Sequence, residues 1–305
     1  MKASESFPQR ALATARGCFA TLALTANVLF FCVLMVPFSL VKLLVPYRPV
    51  RRTIDRALNT IAMTWIGVNN AWIAAVGNEG WEIGGTEGLR RDDWYLVAAN
   101  HQSWVDILVL QKVFSGRVPM LKFFLKRQLI YVPIIGLAWW ALDFPFMQRK
   151  GGMSSAKDLE RARLACEKFR LVPTSVINFL EGTRFTQQKH DAQRSPYRHL
   201  LKPRSGGIAM ALSTLGEHCH RLLDVTIVYP HGAPEFWQLL SGRVDDVIVR
   251  VAQREIPADL MSGDYAGDPQ FRALMQEWIN GLWAEKDELI ERLLPSSATA
   301  RVAAR

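Results

Sequence analysis

The feature that most constrains this chain of 305 residues is an apolar run without any charged residue, from Gly17 to Val41. About 25 residues of helix reach about 37 Å at about 1.5 Å per residue, more than the roughly 30 Å hydrocarbon core of a bilayer. A cleaved signal peptide fits less well, because the run is longer than a signal's apolar region and no small-residue cleavage site precedes a polar start. We therefore expect a retained helix over 17–41 that is able to span a membrane.

Basic residues are more numerous after this run than before it. Three precede it and five follow it, namely Lys2, Arg10 and Arg16, then Lys42, Arg48, Arg51, Arg52 and Arg56. Because positive charge collects on the cytoplasmic side of a spanning helix, the rest of the chain is predicted to lie on the cytoplasmic face of a cell inner membrane.

The next segment, from about residue 53 to 76, predicts an amphipathic helix. Apolar side chains recur at alternating spacings of four and three, which places them on one helix face. The stripe consists of Ile54, Leu58, Ile61, Trp65, Val68 and Trp72. Ordinary core packing explains it, and so does a helix lying at the membrane interface, where tryptophan is favoured. Residues 1–77 are therefore predicted to form a two-helix membrane anchor.

From residue 78 onward, short apolar runs alternate with helical patterns, which predicts an α/β sheet covered by helices. Strands are expected at 94–99, 120–125, 144–147, 175–180, 222–229 and 244–251, and helices at 103–114, 154–170, 206–216 and 268–294. No strand is assigned to residues 77–88, which are rich in Gly and Glu, or to the polar, basic stretch 186–204. Residues 78–295 are predicted to form one domain, with a frayed tail over 296–305.

The formal net charge of +9 favours a partner with fixed negative charge, such as nucleic acid, an anionic membrane or a phosphorylated substrate. The sequence contains no zinc-finger spacing, RNP-like strand or basic groove-binding helix, which argues against nucleic acid. The cysteines are too widely spaced for a disulfide framework or a CxxC clip. His218 and His220 flank Cys219, but no second ligand pair follows at finger spacing, so no metal site is expected.

His101 follows directly after a predicted buried strand, and Asp106 lies five residues further on, in the first turn of the next helix. Sites in α/β proteins lie at such strand ends. An imidazole there accepts a proton from a hydroxyl when a carboxylate orients its other ring nitrogen and favours the imidazolium. The spacing by itself is weak, since chance supplies about 0.3 such pairs in a chain of this composition. A structural histidine beside a capping aspartate is the alternative.

A second motif, FLEGTRF at 179–185, also follows an apolar strand directly. Together with NHQSWVD at 100–106, it resembles the NHxxxxD and FxEGTR motifs of the glycerolipid acyltransferases, the 1-acylglycerol-3-phosphate acyltransferase family. FMQR at 146–149 and LDVTIVYP at 223–230 resemble two further blocks of that family, in the family's order. Two of the four blocks, EGTR followed by Phe-Thr at 181–186 and the VTIVYP ending at 225–230, are similar to the branch that contains the lysocardiolipin acyltransferases. Leu180 stands where many members have Pro, which puts the substrate in doubt.

The resemblance implies a mixed sheet flanked by helices, joined to the N-terminal anchor, and transfer of a fatty acyl group from acyl-CoA or acyl carrier protein to the free hydroxyl of a lysophospholipid. No metal or other cofactor is implied. His101 is then the general base and Asp106 its orienting partner. The substrate supplies the nucleophile, which agrees with the absence of a Gly-x-Ser-x-Gly elbow from the sequence. The candidate substrate-binding residues are Lys122, Arg149, Glu181, Gly182, Thr183 and Arg184.

Each of these candidates has more than one interpretation. Arg149 and Arg184 suit a phosphate, because the guanidinium fork binds it through two parallel hydrogen bonds. Lys122 adds a point charge or is a solvated strand end. Glu181 contacts the acceptor or holds Arg184 in place, and the turn at Gly182 offers N–H groups to an oxyanion or is simply tight.

Two larger alternatives also stay open at this level. The basic residues from Lys189 to Arg204 are either a solvated surface or a contact for anionic headgroups or for the phosphates of the acyl carrier. A membrane-associated thioesterase or lipid phosphohydrolase, in which His101 activates water, is the alternative function. The expected partners are membrane lipids, a lysophospholipid acceptor and the acyl donor.

Overall fold

A computed structural model describes residues 7–76, 80–147, 173–215, 219–244 and 246–303. The chain begins with two long helices, α1 (Phe7–Leu44) and α2 (Arg48–Val76), which pack against each other. Both extend beyond the ranges predicted from the sequence. Pro37 lies inside α1 and does not end it; the helix ends two residues before Pro46.

The helix α1 is partly covered by protein and partly bare. Its buried face packs on α2 and on a short helix, α4 (Ile135–Ala141), and is made of Gly17, Ala20, Phe31, Cys32, Met35, Ser39 and Lys42. Large apolar side chains project from its other faces, among them Phe19 and Leu22, which are 71% and 72% exposed. Within the described residues, α1 is the one helix long and apolar enough to cross a membrane.

Lys42 does not contribute the free positive charge that the sequence count assigned to it. Its side chain is 3% exposed, and Nζ lies 2.7 Å from an Asp55 carboxylate oxygen and 2.6 Å from one of Asp143. The same ammonium donates to the carbonyl of Ala141 at 2.7 Å. A buried ammonium requires such partners, so two carboxylates balance it and the positive excess after the apolar run 17–41 is smaller than counted.

The body contains a six-stranded mixed sheet, as the sequence resemblance implied. Its strands are β1 (Trp81–Gly84), β2 (Tyr95–Ala99), β3 (Leu121–Phe123), β6 (Ser175–Phe179), β7 (Arg221–Val228) and β8 (Val247–Glu255). Their spatial order is β1-β8-β7-β2-β6-β3, and every neighbouring pair is parallel except β7 with β8. The central strand β2 is therefore flanked by two parallel neighbours, whose carboxyl ends meet at one edge of the sheet.

Helices cover both faces of this sheet. One layer contains α6 (Gly206–Leu215) and α8 (Pro269–Ala303), and the other contains α3 (Val105–Phe114) and α7 (Phe236–Leu240). The strand β2 shows how both faces of the sheet are shielded from water, because its alternate side chains point to opposite faces and pack in both layers. Leu96 and Ala98 pack in the first layer, whereas Tyr95, Val97 and Ala99 pack in the second.

Several element boundaries differ from the predictions. The segment 120–125 divides into β3 and a two-residue strand, β4 (Leu125–Lys126), which pairs with β5 (Phe146–Met147) outside the main sheet. The edge strand β1 was missed, because four residues of WEIG carry too little pattern. A helix in the basic stretch, α5 (Gln187–Gln193), was also missed, and α8 continues beyond Leu294. The helix predicted at 154–170 lies outside the described residues.

Candidate active site

The first site segment leaves the sheet at the carboxyl end of β2. Asn100 fixes this point, because its Oδ1 accepts from the Ile227 N–H at 2.8 Å and its Nδ2 donates to the Ile227 carbonyl at 2.9 Å. The side chain thus ties the end of β2 to β7 where the ladder between these strands stops. His101 follows immediately, and its position is set by the sheet and by this amide.

The imidazole of His101 and the carboxylate of Asp106 form the pair that the sequence predicted. Nδ1 of His101 lies 2.8 Å from Oδ2 of Asp106. The backbone N–H groups of Gln102 and Ser103 donate to the same oxygen at 2.6 and 2.9 Å. Oδ1 accepts from the Tyr229 hydroxyl at 2.6 Å. Asp106 is fully buried, and these four donors offset the cost of burying its charge.

This arrangement fixes the proton of the neutral imidazole on Nδ1 and leaves a lone pair on Nε2. Within the described part of the chain, no protein atom forms a hydrogen bond with Nε2. The ring stacks on Phe179 with centroids 4.0 Å apart, and its side chain is 14% exposed. Nε2 is therefore an oriented hydrogen-bond acceptor on a partly buried ring next to an apolar wall.

Glu181 binds the backbone of the site. Oε1 accepts from the His101 N–H at 2.8 Å, and Oε2 accepts from the Leu201 N–H at 3.1 Å. Burial raises the pKa of Glu181 to about 7, although both hydrogen bonds oppose the shift. The ion pair with Arg184 that the sequence allowed is therefore replaced by two backbone contacts. A contact with the acceptor stays a prediction.

The turn that follows Glu181 requires glycine. Gly182 has φ of 66°, a left-handed conformation that costs other residues energy. Its N–H donates to the Phe179 carbonyl at 2.9 Å, so this group serves the turn. The tight turn that the sequence offered as one interpretation is thus present, and oxyanion binding by other N–H groups of the turn stays a prediction. The hydroxyl of Thr183 accepts from Lys189 Nζ at 2.9 Å.

Arg184 lines a cavity of about 310 Å³ next to the segment 102–104 that directly follows His101. The cavity is lined by residues 102–104, 184–186, 189 and 233–236. Cζ of Arg184 lies 4.8 Å from the centroid of the Trp104 ring, which stacks with the cation. The cavity wall therefore combines cationic groups with the loop that carries the imidazole.

The remaining predicted residues are less closely connected to this cavity. Lys122 lies on β3, which is separated from β2 by β6, and it is 8% exposed. It is therefore not a solvated strand end, and its contribution to substrate binding stays a prediction. Arg149 lies outside the described residues. Among the described residues, no group of three or more metal-ligating side chains is found.

Two residues that support the site were missed from the sequence. Tyr229 was read as part of a family block without a role, and Lys286 was not singled out. Lys286 is fully buried in α8, where Nζ donates to the Val225 carbonyl at 2.6 Å and lies 2.5 Å from Asp224 Oδ1. Burial lowers its pKa, although the Asp224 carboxylate opposes the shift. The signal was its place on an apolar helix stripe, three residues after Trp283 and four before Ile290.

The fold and the site together define an α/β protein in which a histidine at a strand end is oriented by a buried carboxylate. Residues 81–231 match the sequence profile of the family described as Acyltransferase. The chain therefore carries a domain of the Acyltransferase family, as its four motifs predicted.

The relatives agree with this assignment. The chain is 27% identical over 213 residues to 1-acyl-sn-glycerol-3-phosphate acyltransferase 3 of Arabidopsis thaliana, covering 65% of this chain and 53% of that protein. It is also 27% identical over 213 residues to the delta enzyme of Homo sapiens, covering 64% and 52%. The chain thus spans about half the length of the curated relatives it matches.

A solved structure has the same fold. The 1-acyl-sn-glycerophosphate acyltransferase PlsC of Thermotoga maritima superposes with a TM-score of 0.53 at 16% identity, covering 93% of this chain and 98% of that one. At this identity the likeness concerns the fold. The lysocardiolipin-like branch suggested by two motifs stays a prediction.

Proposed function

We propose that this protein transfers a fatty acyl group from an acyl thioester to the free hydroxyl of lysophosphatidic acid and so makes phosphatidic acid for phospholipid synthesis. The observation that carries the proposal is the His101 imidazole, oriented by Asp106 and followed directly by a segment that lines a cavity together with Arg184. The relatives named 1-acyl-sn-glycerol-3-phosphate acyltransferases support the choice of acceptor.

The reaction needs one base and no protein nucleophile. The acceptor hydroxyl attacks the thioester carbonyl while Nε2 of His101 takes the hydroxyl proton. Asp106 stabilises the resulting imidazolium through Nδ1, and its four hydrogen-bond donors keep it in place. When the tetrahedral intermediate collapses, the C–S bond breaks and His101 returns the proton to the thiolate. The products are the new ester and the free thiol of the carrier.

Acceptor binding follows from the position of the cations. Arg184 is held by the Trp104 ring, which orients the guanidinium without neutralising its charge. The acceptor phosphate is placed against this guanidinium, and its hydroxyl then reaches the imidazole from the cavity. Acyl-CoA and acyl carrier protein present the same thioester, so either serves as donor.

The same site performs hydrolysis if water replaces the acceptor, so product analysis is the decisive experiment. The purified full chain is incubated in lipid nanodiscs with radiolabelled acyl-CoA or acyl carrier protein, with or without 1-oleoyl-lysophosphatidic acid. We expect labelled phosphatidic acid when the acceptor is present and little free fatty acid when it is absent. Fatty acid release without any lipid product contradicts the proposal and favours the thioesterase.

The enzyme is proposed to work at the cytoplasmic face of the inner membrane, with α1 lying along its body. Gly17 touches Trp237 so closely that a methyl group there would meet its ring at 2.6 Å. Lys42 pairs with Asp143. These contacts, about 37 Å apart along the helix axis, both join α1 to the body. The geometry therefore favours a helix that sinks its bare apolar face into the near leaflet over one that crosses the bilayer alone.

A further inference from the structure

The second cation of the cavity is Lys189, in the first turn of α5. Its Nζ donates to the Thr183 hydroxyl at 2.9 Å and to the Arg184 carbonyl at 2.8 Å. An ammonium has three protons, so one remains for a group in the cavity. Lys189 therefore holds the loop that carries Arg184 and also faces the same space.

Three other basic groups of the stretch 186–204 are occupied elsewhere. His199 and Arg198 pair with Glu291 of α8, and His190 bonds the Tyr197 carbonyl at 2.7 Å. Lys189 has no carboxylate within ion-pair distance among the described residues. Its partners are neutral oxygens, which leave its charge available.

The charge around the cavity favours a dianion. Arg184 and Lys189 line it together, and Glu235 is the single acidic residue among the lining residues. A phosphate monoester carries nearly two negative charges at neutral pH, because its second pKa is about 6. A phosphate diester carries one, so it gains less from a second cation.

We propose that Lys189 is a specificity-determining residue, which binds the terminal phosphate of the acceptor together with Arg184 and thereby selects phosphomonoester lysolipids over phosphodiester ones. This role rests on the proposed function, because it concerns the same acceptor site. It also assigns a ligand to part of the basic stretch, for which the sequence left a solvated surface and a contact with headgroups or carrier phosphates as alternatives.

The test compares two lysolipids that differ in headgroup charge, 1-oleoyl-lysophosphatidic acid and 1-oleoyl-lysophosphatidylglycerol. The full-length Lys189→Met variant is assayed in nanodiscs against the wild type. We expect the KM for lysophosphatidic acid to rise about tenfold, as loss of one charged hydrogen bond predicts. The KM for acyl-CoA stays within twofold, and the preference for the monoester falls about tenfold.

Two further variants separate charge from loop packing. Lys189→Arg keeps a cation and is expected to recover most of the monoester preference. Lys202→Met removes a lysine of the same stretch that does not line the cavity, and every constant is expected to stay unchanged. A loss in Lys189→Met that is equal for both acceptors, or confined to kcat, overturns the proposal and leaves Lys189 a structural residue.

A binding measurement separates this inference from the proposed function. Lysophosphatidic acid is titrated into each variant without acyl donor, and a tenfold rise in Kd is expected for Lys189→Met. If the wild type transfers acyl groups but Lys189→Met binds normally, the Lys189 inference fails alone. If the wild type forms no phosphatidic acid yet binding depends on Lys189, the proposed function fails and the phosphate site stands.

Discussion

The hydroxyl of Tyr229 donates a 2.6 Å hydrogen bond to Asp106 Oδ1, the carboxylate oxygen that His101 does not use. Tyr229 lies just beyond β7 and is 4% exposed, so the bond is made away from water. Burial and the neighbouring Asp106 carboxylate raise the pKa of Tyr229 well above its ordinary value, which keeps the phenol a donor. The His–Asp pair is thus supported by a third residue, which directly follows β7.

Tyr229→Phe is expected to lower kcat about tenfold while both KM values stay within twofold. The substitution leaves Asp106 Oδ1 without this donor, and a buried acceptor that loses its partner costs about 1–3 kcal/mol. Steady-state kinetics and thermal unfolding check both effects. Tyr197→Phe is the control, because its hydroxyl makes a 3.3 Å bond at the surface. Unchanged kcat in Tyr229→Phe would show that Asp106 needs no third partner.

His101→Ala is expected to reduce acyl transfer by a factor of at least about 10² to 10⁴, the usual contribution of a general base. Membrane association stays unchanged, because the side chain does not contact the anchor. The control is His231→Ala, which breaks another His–Asp contact, the 3.0 Å pair with Asp246, and should leave turnover intact. Near-normal turnover by His101→Ala would remove this imidazole from the mechanism.

Glu181 predicts a pH dependence of stability. The folded protein holds the Glu181 proton up to a pKa of about 7, whereas the ordinary value is 4.5. The folded state thus binds more protons between these values, so this stabilisation is fully present below pH 4.5 and lost as the pH rises through 7. Glu181→Gln removes this pH dependence of the unfolding free energy. It also leaves the N–H of His101 or Leu201 without an acceptor, which costs about 1–3 kcal/mol of stability.

Melting temperatures of the wild type and Glu181→Gln in one detergent, at pH 5.5 and pH 8, check this prediction. The variant is expected to melt well below the wild type at pH 5.5, and the gap should narrow at pH 8. Parallel shifts of both proteins between the two pH values would contradict a raised pKa of Glu181.

Lys286→Met is expected to destabilise the fold by about 3–5 kcal/mol, because it leaves the buried Asp224 carboxylate unpaired. Adding Asp224→Asn should restore part of the loss, since no buried charge then remains. Arg254→Met is the control, because its partner Glu285 is exposed and such surface pairs contribute about 0–1 kcal/mol. Thermal unfolding of the wild type, Lys286→Met, the double variant and Arg254→Met checks these expectations. Equal effects of the Lys286 and Arg254 variants would contradict the buried pairing.

The bare face of α1 predicts how the protein binds membranes. Replacing Phe19, Leu22 and Phe30 by Gln is expected to weaken vesicle binding at least a hundredfold, since burying each side chain contributes about 1.5–3 kcal/mol. Flotation with vesicles measures this loss. Leu274→Gln, an exposed apolar site on α8, is the control. Deleting residues 1–50 is a poorer test, because α1 also covers α2 and α4. Undiminished flotation of the triple variant would place the membrane contact elsewhere.

Local pattern was enough to predict the strands β2, β6 and β7 and the pair His101 and Asp106. Each central strand is a continuous apolar run, because both sheet faces are covered. The pair was recognised because its members lie five residues apart in a segment that, together with FLEGTRF, resembles the motifs of the glycerolipid acyltransferases. Short elements were not predicted, because two to four residues carry too little periodicity, as β1 and β4 show.

The sequence by itself determined the two N-terminal helices, the α/β class and the pair of His101 and Asp106, since all depend on neighbours along the chain. Tertiary structure decided which groups hold that pair. Tyr229 meets Asp106 across 123 residues and Glu181 meets His101 across 80. Tertiary structure also placed Lys42, which the sequence counted among the charges that set membrane orientation, in a buried ion pair. Such contacts depend on strand order and helix packing, which no local spacing encodes.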